Sequence, residues 1–594
     1  MPIYNAPIQD MRFILNDVFN AAEFWQNNEQ LAHVDNDTVN MILEEMSKLA
    51  KNTLLPLNRS GDEEGAQYLG EGKVKTPTGF KEVFQSYAES GWVGLGGDPE
   101  YGGQGMPKMV TMLAEEMVFT ANQSFALYPN LSGGACMCIY NAGSEEQKQT
   151  YLEKIYSGEW TGTMCLTEPH AGTDLGIIKT KAVPNEDGSY NITGTKIFIT
   201  AGEHDLSDNI IHLVLAKTPD APAGSKGISL FIVPKFLVNE DGSMGERNAV
   251  SCGSIEHKMG IKGSATCVMN FDGAKGFMVG QENTGLASMF IMMNYERLTM
   301  GLQGIGGAEL AYQNAAAYTL DRIQGRADSG VKEPSKAADP IVFHADVRRM
   351  LLNAKAISEA SRCFAMYVAK ELDTNKYSDD DAAKKAANDR VALLTPVAKA
   401  FLTDRGLEAS IDAQQCFGGH GYIREWGMEQ IVRDTRIAQI YEGTNGIQAL
   451  DLLGRKVVKN GGAFVSSYIA EMRDFANSMK AAHGIKQAIL TAADKLDQLT
   501  KAVIAVAAQN KDEINGCAVD YLQAFGYVSF AYMFGLMVEA AHGKEGDFYA
   551  NKAKLADYYI GRMLPRLDAH IAMVNATSAP ITAFDQEYFA ATIA

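Results

Sequence analysis

Lys196-Ile-Phe-Ile-Thr200, Ile210-Ile-His-Leu-Val-Leu215 and Ile228-Ser-Leu-Phe-Ile-Val233 are short runs of β-branched and aromatic residues set between clusters of Gly, Pro and Asp. Runs of this composition and length read as strands. From about Thr161 to Asp272 no helical periodicity comes between them. Without crossover helices, a doubly wound parallel sheet cannot be built. The stretch therefore predicts a small antiparallel barrel or sandwich. No Gly-x-Gly-x-x-Gly follows a strand, which disfavours a Rossmann nucleotide site.

On both sides of this stretch the apolar spacing changes to three and four residues, the mark of amphipathic helices. Met1 to about Ser157 reads as mostly helical, with Asp37–Lys51 a clear case and a glycine-rich turn region from Gly91 to Gly105. After Leu286, the segments Tyr295–Asp321 and Ala386–Gln415 are long enough for bundle helices. The polar run Asp373-Thr-Asn-Lys-Tyr-Ser-Asp-Asp-Asp381 reads as an exposed loop between helices. Lys459-Asn-Gly-Gly462 breaks the pattern, and helical spacing resumes over Ala470–Leu499 and Tyr521–Ala541. The predicted class is α+β and mainly helical. It comprises an N-terminal helical domain (1–160), a middle antiparallel β-barrel (161–280), a C-terminal four-helix bundle (281–458) and an additional C-terminal helical domain (459–594).

The 594 residues argue for several domains, and 72 acidic against 53 basic side chains give a net charge of −19. That balance opposes nucleic-acid binding, which depends on Lys and Arg displacing counterions. The eight cysteines are mostly isolated, which fits a reducing compartment rather than a disulfide framework. Cys136-x-Cys138 is too close for a zinc pair and reads as two small core residues; no metal site is expected. The N-terminus lacks a secretory pattern. The apolar run Tyr527–Val538 is shorter than the roughly 20 residues a spanning helix needs. A cytoplasmic protein without membrane association is the expectation.

Four motifs carry the chemistry. Met164-Cys-Leu-Thr-Glu-Pro-His-Ala-Gly-Thr-Asp174 packs hydroxyls, a proline turn and a glycine into one loop. There Thr167, Thr173 and main-chain N–H groups near Gly172 offer hydrogen bonds to a flavin or phosphate. Gly194-Thr-Lys-Ile-Phe-Ile-Thr-Ala-Gly-Glu203 puts Phe198 and Thr200 on one face of a strand, an aromatic ring beside a hydroxyl. Tyr295-Glu-Arg-Leu-Thr-Met-Gly, followed by Asp321-Arg-Ile-Gln324, offers Arg297 and Arg322 as candidate phosphate partners, although a surface ion pair is the commoner use of each Arg. Gln415-Cys-Phe-Gly-Gly-His-Gly-Tyr422 and Ile440-Tyr-Glu-Gly-Thr-Asn-Gly-Ile-Gln448 form the fourth motif. In it Glu442 lies between an aromatic residue and Gly443, a context expected to raise its pKa towards a useful general-base value.

Together with Glu256-His-Lys-Met-Gly-Ile-Lys-Gly-Ser264, these motifs resemble the acyl-CoA dehydrogenase family over roughly residues 40–455, in matching order and spacing. The long N-terminus and the extra helices resemble the large bacterial branch. That branch includes 3-methylmercaptopropionyl-CoA dehydrogenases and broad-chain fatty acyl-CoA dehydrogenases. The resemblance implies FAD-dependent α,β-dehydrogenation of an acyl-CoA, medium- to long-chain, to a trans-2-enoyl-CoA, with electrons passed to an electron-transfer flavoprotein. The alternative substrate is 3-methylmercaptopropionyl-CoA. An acyl-CoA oxidase and a DNA-associated flavoprotein of the same fold are further alternatives.

The family also implies roles residue by residue. Glu442 is the base that removes the α-proton while a β-hydride goes to the flavin. Its main-chain N–H and a ribityl hydroxyl polarise the thioester carbonyl. Met164, Leu166, Thr167, Gly172 and Thr173 line the flavin, with Thr173 also near CoA. Phe198 stands where many members have Trp, and Thr200 bonds the ring. Arg322, Gln324, Gln415 and Gly419 reach the FAD of a neighbouring subunit in a homodimer, and Thr444 contacts the cofactor near the base. Asn294 and Arg297 hold the CoA end, and Tyr441 lines the acyl-CoA site. His170 departs from the usual Gly of the flavin loop, and Gly446 stands where many members have Gln. Some branches place the base where this chain has Glu296. The full Tyr-Glu-Gly-Thr context favours Glu442, with Glu296 then an ion-pair partner in the bundle.

Overall fold

The structure is a computed structural model that describes residues 2–590. It divides into two compact units. The first gathers the N-terminal residues up to Ala6, Asn36–Thr299 and Glu429–Asp434; the second gathers Pro7–Asp35, Met300–Met428 and the chain from Thr435 onward.

In the first unit, helices α1 (Asn36–Leu49), α2 (Lys108–Ala121), α3 (Gln123–Ala142) and α4 (Glu145–Tyr156) precede the strands. Their ends follow local chemistry. Asn122 accepts from the Phe125 N–H to start α3, and Ser144 and Gln147 form a reciprocal capping box on α4. Cys136 and Cys138 are buried in α3, as small core residues.

Seven strands form the middle sheet: β1 (Trp160–Cys165), β2 (Lys181–Pro184), β3 (Tyr190–Thr200), β4 (Asn209–Ala216), β5 (Ser229–Pro234), β6 (Val250–Ile255) and β7 (Thr266–Val279). The order is β1-β4-β5-β7-β3-β2, with β6 also on β7. The sheet curls back on itself: Ala182 N–H donates to Lys217 O, Lys217 N–H to Thr180 O, and Ile197 N–H to Thr167 O. The antiparallel expectation needs one correction, because β1 and β4 run parallel, Trp160 opposite Asn209 through Cys165 opposite Val214. Between β1 and β4 the chain makes the β2–β3 hairpin, which lies at the opposite end of the strand order. β4 and β5 are buried along their whole length, so they read as apolar runs rather than alternating strands.

The second unit is helical. The long helix α5 (Gly285–Asp321) starts in the first unit and ends here, followed by α6 (Ala345–Tyr377) and α7 (Asp381–Cys416); α8 (Met428–Arg436) belongs to the first unit over Glu429–Asp434, and the short α9 (Asn445–Leu450) is again in the second. α10 (Ala463–Ser478), α11 (Gly484–Gln509), α12 (Asp512–Ala541) and α13 (Asp547–Tyr558) complete it. The expected loop at 373–381 shrinks to Ser378–Asp380. Asp373 and Tyr377 are buried, so α6 continues through them. The Tyr527–Val538 run also proves part of something longer. α12 has 30 residues and is long and apolar enough to cross a membrane, but 83% of its apolar window is buried inside the protein. It is the core helix of this unit, beside a fully buried charge cluster. In that cluster Arg362 donates to Asp10 (2.6 Å) and Glu309 (3.0 Å), and Lys552 pairs with Asp10 and with Glu359 (2.8 Å).

Candidate active site

The flavin-type loop after β1 is organised by one buried carboxylate. Glu168 accepts from Lys179 N–H (2.7 Å), Thr180 N–H (3.0 Å), the Thr180 hydroxyl (2.6 Å) and Lys196 Nζ (2.9 Å). Burial pushes this carboxyl up, but Lys196 and the hydrogen bonds outweigh it and hold it below its ordinary range. Lys196 is itself fully buried and also donates to Leu166 O at 2.9 Å. Leu166 is nearly buried and Met164 and Thr167 half-buried, while Gly172 and Thr173 stand exposed at the rim. A Cβ at Gly172 would meet nothing within 4 Å. His170 hydrogen-bonds Ile177 O at 3.1 Å and lies 3.6 Å from Glu168.

β3 carries the second motif with a distortion that simple alternation does not foresee. Between the pairs Lys196–Met269 and Ile199–Cys267 the register slips, and Phe198 takes φ +59°. Side chains other than Gly avoid this region, and an observed outlier of this kind points to function. The slip pushes the Phe198 ring outward to 59% exposure, while Lys196 and Ile199 both stay buried. Thr200, half-buried, is anchored through its carbonyl by the Thr163 hydroxyl at 2.8 Å.

In the part of α5 that belongs to the first unit, Asn294 is exposed and Arg297 buried. Arg297 donates to Asn294 Oδ1 at 3.4 Å and lies over the Phe290 ring at 5.6 Å. Glu296 is also buried. Asn130 Nδ2 donates to it at 2.5 Å, and Gly134 leaves it room, since a Cβ there would sit 2.4 Å from its Oε1. An amide is thus one partner of the Glu296 carboxylate.

In the second unit, Tyr441, Glu442 and Thr444 lie together on the short loop before α9. Glu442 is half-buried and has φ +56°, and Gly443 follows at +78°. Gln448, fully buried on α9, donates through Nε2 to both Glu442 O (3.2 Å) and Gly443 O (3.3 Å). The Tyr441 hydroxyl donates to Gln303 Oε1 at 2.6 Å, and Thr444 caps α9. Asn445 is locked to α7 by Lys399 Nζ (2.8 Å), Thr403 (3.0 Å) and Asp404 (2.7 Å). Arg322 and Gln324 are exposed on the loop after α5, which folds around buried Asp339, and Gln415 and Gly419 are exposed at the end of α7. These two ends are joined, since Tyr318 stacks on Phe417 (4.1 Å) and bonds His420 (2.8 Å). Gln448, Asn445 and Gln303 were not singled out from the sequence. Gln448 and Asn445 stand inside the quoted motif, but nothing local shows which way they turn.

Models of the acyl-CoA dehydrogenase N-terminal, middle and C-terminal domains match residues 36–159, 163–274 and 283–457, and an acetyl-CoA dehydrogenase C-terminal-like model matches 468–585. A 3-methylmercaptopropionyl-CoA dehydrogenase of Ruegeria pomeroyi is 40% identical over 97% of this chain and 98% of its own. This chain belongs to the acyl-CoA dehydrogenase family. It is an oxidoreductase of that FAD-dependent family. A broad-specificity linear acyl-CoA dehydrogenase of Mycobacterium tuberculosis is 31% identical over 99% of this chain and 100% of its own. The solved acyl-CoA dehydrogenase of Bacillus anthracis, complexed with FAD, shares the fold with a TM-score of 0.75 at 22% identity, covering 91% of this chain and 89% of that one. In this acyl-CoA dehydrogenase, two candidate site residues, Phe198 and Glu442, share the left-handed backbone that only eight non-glycine described residues adopt.

Proposed function

We propose that the chain oxidises an acyl-CoA thioester to the trans-2-enoyl-CoA, with Glu442 as the base. The observation that carries this reading is the strained, doubly anchored main chain at Glu442. A left-handed glutamate costs on the order of 1–3 kcal/mol and persists only where its surroundings enforce it. Bound FAD supplies the acceptor for the β-hydride. The residues present suit that cofactor: Thr167, Thr173 and Thr200 offer hydroxyls, the exposed Phe198 ring offers a stacking face, and Gly172 leaves open space beside the loop. Met164 and Leu166 add apolar contact, and Thr444 lies two residues from the base. Asn294 and Arg297 orient the CoA end, Thr173 serves CoA as well as the flavin, and Tyr441 contacts the acyl-CoA. Glu442 takes the α-proton, and its main-chain N–H polarises the thioester carbonyl where enolate charge develops.

We also read electron-transfer flavoprotein as the acceptor and a cytoplasmic homodimer as the working form. In that dimer the exposed Arg322, Gln324, Gln415 and Gly419 serve the partner's cofactor. The domain limits 1–160, 161–280, 281–458 and 459–594 are part of the same proposal and are supported by where the matched models begin and end. Two substrate classes stand. Medium- to long-chain fatty acyl-CoA is supported by likeness to the broad-specificity linear enzyme, and 3-methylmercaptopropionyl-CoA by the 40% identical relative.

The test is anaerobic titration of the FAD-loaded protein with straight-chain acyl-CoAs and 3-methylmercaptopropionyl-CoA, in wild type and Glu442→Gln. Wild type bleaches and the variant retains FAD but does not. A variant that bleaches normally removes Glu442 from the role and moves Glu296 into it.

A further inference from the structure

Asp404, on α7, has side-chain amides on both carboxylate oxygens. Oδ1 accepts from Gln439 Nε2 and from Asn445 Nδ2, each at 2.7 Å. Oδ2 accepts from Gln523 Nε2 at 2.6 Å. Gln439 and Asn445 bracket the segment Ile440–Thr444, so a single carboxylate ties together the two ends of the loop that carries Glu442. At 2.6–2.7 Å these three amide bonds lie at the short end of the N–H···O range. They therefore fix the separation of the loop ends more tightly than packing alone.

Gln523 lies outside the bundle. It belongs to α12, within the separately matched segment 468–585. From Tyr521 to Val538 that helix is almost wholly apolar, with Gln523 and Ser529 as its side-chain amide and hydroxyl exceptions apart from the tyrosines. Gln523 is 6% exposed and its Oε1 is buried without a partner among the described residues. Burying an amide in an apolar helix is costly unless it is bonded. The bond that offsets the cost is the one to Asp404.

We infer that the additional C-terminal helical segment is part of the catalytic apparatus: Gln523 is a positioning residue that sets the Glu442 loop through Asp404. This inference rests on the reading of Glu442 as the base. Its chemical logic is that a base displaced by a fraction of an ångström loses rate while substrate binding is spared.

The test uses the full-length FAD-loaded chain with the acyl-CoA that bleaches wild type fastest. The variants are Gln523→Leu, Gln523→Glu, Asp404→Asn and the paired swap Asp404→Asn with Gln523→Glu. The swap keeps the total charge and reverses the direction of the Gln523–Asp404 bond, while the oxygen at 404 still accepts from Gln439 and Asn445. Each single variant is expected to lower kcat about 5- to 30-fold with KM within about twofold. Amide hydrogen exchange should quicken over residues 438–448 and stay unchanged over 196–203. The swap is expected to restore kcat to within about threefold of wild type. Wild-type kcat and exchange in Gln523→Leu, or a swap that fails to fold or to recover, would overturn the inference. Should Gln523→Leu itself not fold, Gln523→Glu and its recovery in the swap decide the matter. Normal bleaching by Glu442→Gln would instead sink the assignment of the base. The exchange measurement would then still report whether Gln523 holds the loop.

Discussion

The side-chain amide of Gln448 donates to the main-chain oxygens of Glu442 and Gly443, 3.2 and 3.3 Å away. One buried side chain therefore holds two successive peptide groups of the strained loop. Gln448→Leu keeps the approximate volume and removes both donors. It should lower kcat by about 10- to 100-fold, near 1.4–2.7 kcal/mol of barrier, with FAD content unchanged. Steady-state kinetics with the best acyl-CoA would check this; an unchanged kcat would remove the clamp from the argument.

Gly443 has φ +78°, and a Cβ there would lie 2.7 Å from Gln448 Nε2. Gly443→Ala meets both a backbone penalty of about 1 kcal/mol and this collision. Its kcat should fall at least as far as that of Gln448→Leu, and combining the two should be less than additive. A double-mutant cycle reads this directly.

Lys196 and Glu168 form a buried pair at 2.9 Å. Lys196→Met would leave the Glu168 carboxylate buried without its cation, which typically costs 3–5 kcal/mol. Chemical denaturation should show a loss of that order, together with weaker FAD retention on dilution. Lys196→Met paired with Glu168→Gln should recover much of the stability.

Asp434 is buried, accepts from the Ile261 N–H at 2.5 Å and has its pKa raised to about 7, chiefly by desolvation. A carboxyl that holds its proton more tightly when folded stabilises the protein fully only below its unfolded pKa. Here that stability is lost as pH rises from about 4 towards 7. The full span is on the order of 4 kcal/mol. Asp434→Asn, which does not titrate, should flatten the stability profile over this window and be more stable than wild type at pH 8, by denaturant unfolding at each pH.

Much of the fold was legible because its signals are local. The strand runs around Lys196–Thr200 and Ile210–Leu215, and the long periodic helices, declare themselves in composition and spacing. The pairing of β1 with β4 did not, since neighbours in a sheet are chosen by tertiary packing and no short stretch records them. Asp373 and Tyr377 read as loop because a polar run usually faces solvent, whereas both are buried in α6. In the candidate site, Glu442 stood out through its motif, but its left-handed backbone is invisible in a glutamate codeword. The same holds for Phe198, whose register slip depends on the strand opposite. Lys196 and Glu168 were both within quoted motifs, yet only the curl of the barrel brings them together. Gln523 lay 119 residues from Asp404, beyond any pattern of spacing.

The Asp10–Lys552 contact spans 542 residues of chain. Synthesis proceeds from the N-terminus at about 5–20 residues per second. Asp10 therefore waits for Lys552 until the 542 residues of separation have been made. The helical unit can complete its charge cluster only after α13 has left the ribosome. A premature stop before α13 would leave Asp10 and Glu359 without Lys552, and a nascent chain halted within α12 would present its most apolar helix unsheathed. For this protein, quality control should thus act on the helical unit only once α13 is made, and it should sense the loss of α13 more than changes in the loops that precede it.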